Sequence, residues 1–288
     1  MAPERVVVMG AGGFVGGSLT SMLVRQGVPV LALDRDEVDL LAPGAAERLA
    51  GYLRPTDTFV AVSALAPCKT AAMLADNMVM VTAMLGALAR VPVAHVVNIS
   101  SDAVYPDDPV PLAESTPAAP TTLHGAMHLA REIMFRAEVA APLAVIRPTL
   151  IYGARDPHNG YGPNRFRRLA MAGQEIVLFG EGEERRDHVL VDDVVELVRR
   201  IIVRRSRGVV NAATGIVVSF RQLAEQVVAL AGTGAAIRGT PRQGPMPHNG
   251  YRPFDPSGCG VAFPDFQWTP LAQGLARAQS EAPVAEKS

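Results

Sequence analysis

Val6-Val-Val-Met9-Gly10-Ala-Gly-Gly13-Phe-Val-Gly16 is the stretch that decides the fold of this chain. The apolar run Arg5 to Met9, closed by glycines, predicts a strand, and Phe14 to Gln26, ending at Gly27, has helical spacing. Glycines between a strand and a helix let the backbone turn tightly and approach a pyrophosphate, which the unpaired N–H groups and positive dipole end of the helix attract. Gly10, Gly13 and Gly16 are therefore the candidate dinucleotide contacts, with Phe14 and Val15 opening the helix. The competing reading is a glycine turn that serves only to pack a helix on a strand.

Outward from that loop, Val28 to Leu33 predicts a second strand ending in Asp34. This is roughly the 20-residue offset at which a carboxylate holds the adenosine ribose hydroxyls of NAD and repels a 2′-phosphate. Arg35 follows and offers a phosphate partner, so NAD ranks ahead of NADP, which stays open. Asp39 and Leu40 are expected to end a third strand beside the adenine. Strands near 58–63 and 94–99 alternate with helices near 45–54 and 70–90, the pattern of an α/β doubly wound parallel sheet of Rossmann type. Past residue 150 the pattern loosens, with helices expected near 164–172, 191–204 and 219–231. The expected division is a dinucleotide-binding domain over 1–155 and a smaller C-terminal substrate lobe over 156–288, interleaved with the last strands. Gly239 to Pro256 lacks periodicity and reads as a covering loop, and the tail after Ala276 as frayed.

A formal net charge of -1 leaves no positive field to gather nucleic acid or an anionic membrane. Arg199, Arg200, Arg204, Arg205 and Arg207 read as the solvated face and end of a helix. Cys68 and Cys259 stand in no ligand spacing, which suits a reduced, cytoplasmic chain. Pro3, Glu4 and Arg5 run straight into a short apolar strand, so no cleavable leader is expected, and no apolar run is expected to reach transmembrane length.

Further motifs occur in order: Ala61-Val-Ser-Ala64, Asn77, Asn98-Ile-Ser-Ser101-Asp-Ala-Val-Tyr105, Arg147-Pro-Thr-Leu-Ile-Tyr-Gly153, the segment Gly180 to Asp193, and Phe266-Gln-Trp-Thr-Pro270. In this order, and in the spacing of Gly10, Gly13 and Gly16, the chain resembles the extended short-chain dehydrogenase/reductases over Val6 to about Leu275. The resemblance implies an NAD(P)-dependent oxidoreductase, epimerase or dehydratase acting on a nucleotide-activated sugar, with Ala64 on the cofactor side. It implies that Ser101, rather than Ser100, anchors the reacting oxygen, that Arg186 grips a substrate diphosphate, and that Asn164 and Arg165 add contacts. Asp102, Tyr105 and Tyr152 are expected at the cleft, with buried packing the rival reading for the two tyrosines, and Asp192 and Asp193 as helix caps. Arg186 has an alternative as an ordinary ion pair with Glu183, Glu184 or Asp187.

The family's Tyr-x-x-x-Lys is here His124-Gly-Ala-Met-His128. Spacing of i, i+4 keeps both rings on one helix face. Because imidazole titrates near neutrality, His124 is the candidate acid/base and His128 the candidate ribose contact and tuning group. Three other readings stand beside this one, of which the plainest is that both histidines are simply partly buried and hydrogen-bonded. A second is a non-catalytic dinucleotide-binding or regulatory protein. The third is a metal-assisted enzyme, with Glu132 or Asp102 joining the histidines. The resemblance also implies a homodimer through the helices matching 70–90 and 121–139, where Met73, Met78, Met80 and Met84 supply either an interface or core.

Overall fold

Val6, Val7, Val8 and Met9 are all sealed from solvent, as a strand covered by helices on both faces must be. The computed structural model describes residues 3–108 and 110–281. The first half runs β1 (Val6–Met9), α1 (Phe14–Arg25), β2 (Val30–Leu33), α2 (Ala45–Ala50), β3 (Thr58–Ala61), α3 (Ala71–Arg90), β4 (His95–Ile99), α4 (Leu123–Glu138) and β5 (Leu143–Pro148). The second runs β6 (Leu150–Tyr152), α5 (Pro163–Met171), β7 (Ile176–Phe179), β8 (Arg185–Leu190), α6 (Val191–Arg204), β9 (Gly208–Ala212), β10 (Val217–Ser219), α7 (Phe220–Ala231), β11 (Ile237–Thr240), β12 (Tyr251–Arg252), α8 (Ser257–Ala262) and α9 (Leu271–Ser280).

Six strands form one parallel sheet in the order β2-β1-β3-β4-β5-β9. Leu19 and Leu23 of α1 and Val194 and Val198 of α6 cover one face, and Leu49, Met84 and Phe135 of α2, α3 and α4 the other. The chain order reverses on either side of β1, which opens a crevice at the carboxyl ends of β1 and β3. Beyond residue 155 the chain is shared between two bodies. α6, α8 and β9 pack on the main sheet, while α5, α7 and α9 enclose a second core around Phe166, Leu178, Phe220 and Leu223.

Several expectations need correction. Asp39 and Leu40 lie in a turn and pair with no strand, because Asp39 Oδ1 accepts the Leu41 N–H at 3.1 Å and bends the chain there. Gly239 to Pro256 is more than a loop: β11 pairs with β7 and β12 with β8, strands too short for periodicity to reveal. Asp192 and Asp193 cap nothing. Asp193 accepts from the Thr269 N–H and hydroxyl at 2.7 and 2.8 Å, and Asp192 pairs with Arg277, so both carboxylates tie the start of α6 to the C-terminal segment. The helix of that segment continues to Ser280, past the expected fraying point. α3 has 20 residues and a mean hydropathy of 1.6, long and apolar enough by composition to cross a membrane; in the fold it packs between α2 and α4, with Met80 and Met84 in the core. The arginines of α6 lie as expected, Arg199 and Arg200 pairing with Glu196, and Arg200 and Arg204 with Asp265.

Candidate active site

Gly10, at φ +100°, occupies a conformation open to glycine, and a Cβ there would stand 2.7 Å from the Ser63 nitrogen. A Cβ on Gly16 would come within 2.0 Å of the Gly10 carbonyl oxygen, so α1 can sit this close to the loop only with glycine at that position. Gly16 therefore acts from behind the loop, whereas Gly10, Gly12, Gly13, Phe14 and Val15 line the cleft. The start of α1 carries no side-chain cap, which leaves its first amides available to a phosphate. Gly12 was not singled out in the sequence; a Cβ on it would meet Asp34 Oδ2 at 3.2 Å, so its bareness keeps the carboxylate accessible. Asp34 is half-buried at the rim, while the Arg35 side chain is 78% exposed and pairs with Asp39 at 3.4 Å. These residues fit a dinucleotide.

The cleft measures about 1240 Å³ and runs from this loop past Ala64, Ser101 and His124 to Asn164, Arg186 and His248. That exceeds a typical drug-sized pocket of roughly 300–1,000 Å³, leaving space for a second ligand beside a dinucleotide. Leu40, although not in a strand, also lines it.

His124 and His128 do share one face of α4, edge to face with ring centroids 4.7 Å apart. The Cys68 N–H donates to His124 Nδ1 at 3.4 Å. Burial pulls the His124 pKa below its ordinary 6.5 against an upward pull from Asp102. His128 is 6% exposed and its Nδ1 has no hydrogen-bond partner; burial, then the charges of His124 and Arg131, push its pKa well down. Both rings are thus neutral near pH 7. Ser100 and Ser101 both border the cleft; Ser101 Oγ accepts from the Ala103 N–H at 3.1 Å, whereas the Ser100 hydroxyl is committed to the buried Glu132, donating to it at 2.6 Å.

Arg131 was not anticipated. Fully buried, it reaches from α4 to the Ala61 and Ser63 carbonyl oxygens and to Asn98 Oδ1, joining the ends of β3 and β4 under the histidines. Arg252, equally buried, donates to Asp102 Oδ2 at 3.2 Å and to the Asp102 carbonyl oxygen at 2.7 Å, clamping the turn after β4. Neither was legible locally, because their partners lie 33 to 70 and 150 residues away.

Other expected contacts are placed differently. Tyr105 is sealed, its hydroxyl donating to Asn211 Oδ1 and accepting from Arg147 Nη1, both at 2.8 Å, because a core position next to a buried arginine satisfies the phenol. Tyr152 is likewise buried, against Gly274. Arg165 points outward on the exposed side of α5 and does not line the cleft. Asn164 does, but its amide is spent on the Gly153 N–H and on Asp156. Arg186 lines the cleft and pairs with Glu184 at 3.3 Å and with Asp102 at 3.9 Å. Glu132 is turned from the histidines towards Arg147 and Arg136, and no group of three or more metal-ligating side chains gathers among the described residues.

Comparison with known proteins agrees with this geometry. The profile of the NAD dependent epimerase/dehydratase family matches residues 6–213. A dTDP-6-deoxy-L-talose 4-dehydrogenase (NAD(P)(+)) from Kitasatospora kifunensis is 30% identical, covering 99% of this chain and 98% of its own. A UDP-glucose 4-epimerase from Mycolicibacterium smegmatis is 29% identical over 76% of this chain and 80% of its own. Among solved structures, the Thermus thermophilus UDP-glucose 4-epimerase in complex with NAD superposes with a TM-score of 0.83 at 23% identity, over 96% of this chain and 98% of that one.

Proposed function

The chain belongs to the NAD dependent epimerase/dehydratase family, and from that premise we propose that it oxidises, reduces, epimerises or dehydrates a sugar carried on a nucleoside diphosphate. The observation that carries this reading is one cleft joining the glycine loop, Ser101, His124 and Arg186. Gly10, Gly12, Gly13 and the start of α1 would hold the NAD pyrophosphate and Asp34 the adenosine ribose; bound there, NAD supplies the hydride acceptor or donor. Ser101 orients the reacting oxygen through its hydroxyl. His124, neutral and half-buried, exchanges the proton of that oxygen, and His128 holds the neighbouring ribose and the orientation of His124. Arg186 offers its guanidinium to the diphosphate, exchanging Glu184 for the ligand.

The test is calorimetric titration of cofactor-stripped protein with NAD and NADP, with and without a panel of UDP- and dTDP-sugars, followed by turnover of His124→Phe. Dinucleotide binding that strengthens with one sugar nucleotide, and turnover lowered about 100-fold or more in His124→Phe with NAD affinity kept, supports the reading. Binding with no turnover of any sugar makes the protein a non-catalytic dinucleotide binder. The reading includes a homodimer through α3 and α4, whose outer faces expose Val79 and Ile133, at 50% and 54%; a monomer by light scattering would overturn that part.

A further inference from the structure

We propose that His248 and Asp107 form a second proton-handling pair in the cleft, with His248 Nε2 accepting a proton from a substrate O–H or acidic C–H and Asp107 balancing the charge that forms. His248 lines the same cleft as His124 but comes from the segment before β12, for which the sequence suggested no chemistry. Its Nδ1 is hydrogen-bonded to Asp107 Oδ1, the oxygen that also accepts from Arg252 Nη1 at 3.0 Å. Burial works to raise the Asp107 carboxyl, yet the hydrogen bond from His248 and the charge of Arg252 outweigh it and hold the carboxyl below its ordinary value. An ionised carboxylate only accepts, and Arg252 Nη1, though 3.2 Å from Nδ1, spends its two N–H groups on Asp107 Oδ1 and the Pro106 carbonyl oxygen, so Nδ1 carries the proton and Nε2 the lone pair. Burial and the Arg186 charge, only partly opposed by Asp107, keep the ring neutral.

The backbone supports the assignment. His248 and Asn249 are successive non-glycine residues in the left-handed region, at φ 50° and 52°, a conformation that persists only where surroundings impose it. Here Asn249 Nδ2 donates to the Asp107 carbonyl oxygen at 3.3 Å, and the buried Arg252 fixes Asp107 itself. His124 has the opposite polarity: accepting the Cys68 N–H at Nδ1, its neutral ring keeps the proton on Nε2. One cleft therefore presents one imidazole that donates and one that accepts. In the step, the substrate O–H or C–H bond breaks, its electron pair stays on the substrate atom, and the proton joins Nε2 beside the Asp107 carboxylate. The use of this pair on a sugar rests on the proposed function; its tautomer does not.

The test is 15N NMR of the histidine-labelled full chain at pH 7, with His248→Gln assigning the signal. The expected ring is neutral with its proton on Nδ1, and Asp107→Asn shifts it towards the tautomer mixture of free imidazole. A wild-type His248 that is charged, or that carries its proton on Nε2, overturns the proposal whether or not either variant folds. With NAD and a turned-over UDP- or dTDP-sugar, His248→Gln should lose about 100-fold in kcat with NAD affinity unchanged. Unaltered turnover in that variant overturns the catalytic role. A wild type inert towards every sugar counts against the nucleotide-sugar reading instead, and the tautomer then decides this one.

Discussion

Glu132 and Arg147 are joined by two hydrogen bonds, Nε to Oε1 at 2.9 Å and Nη2 to Oε2 at 2.7 Å, with side chains 0% and 4% exposed. The pair links α4, which carries both cleft histidines, to β5, and Tyr105 and Ser100 complete it. Removing one partner leaves a buried charge uncompensated, a loss of about 3–5 kcal/mol. Glu132→Gln should lower the denaturation midpoint accordingly in urea titration; a loss under about 1 kcal/mol, the scale of an exposed pair, would show the site to be wet.

Acid should destabilise the protein in a defined window. His95, His128 and His188 are buried with pKa values lowered from 6.5, first by burial, and His188 is held at about 3. A histidine with a lowered folded pKa binds more protons when unfolded, so its stabilising effect is complete above about 6.5, the unfolded value, and is lost as pH falls towards the folded one. Tm should thus be level from pH 7 to 8 and decline below 6.5. Replacing His188 by Phe should flatten that decline; an unchanged slope would mean the ring is not held neutral.

Cofactor choice should respond to Asp34. Asp34→Ser removes the charge that repels a 2′-phosphate, while Arg35, largely exposed, is free to leave Asp39 for that phosphate. NAD affinity should fall about ten-fold, the size of one charged hydrogen bond, and NADP affinity rise, both read by calorimetry. Weakening of both cofactors alike would place Asp34 in loop structure only.

Gly16→Ala should disable the loop. The added Cβ lies 2.0 Å from a backbone oxygen, which cannot rotate away as a side chain could. Overpacking of this kind costs about 1–3 kcal/mol, and the shifted loop should lose NAD binding. Gly260→Ala, where a Cβ meets nothing within 4 Å, is the control and should leave both stability and binding intact.

The features readable from residue order are those that are local along the chain. The glycine loop, the alternation of β1, α1 and β2, and the shared face of His124 and His128 each depend on residues a few positions apart, where backbone geometry fixes the outcome. Asp34 belongs with them, since one strand–helix–strand unit sets its distance from the loop. Tertiary structure alone decided which polar side chains face the cleft and which are consumed in the interior. Tyr105 and Ser100 follow the same strand as Ser101, yet Arg147 and Glu132 draw them inward. His248 becomes a cleft residue through Asp107, 141 positions away, and Asp102 is held by Arg252 across 150. Such pairs form because burying a charge demands a partner, and the fold, not the spacing of residues along the chain, brings that partner within reach.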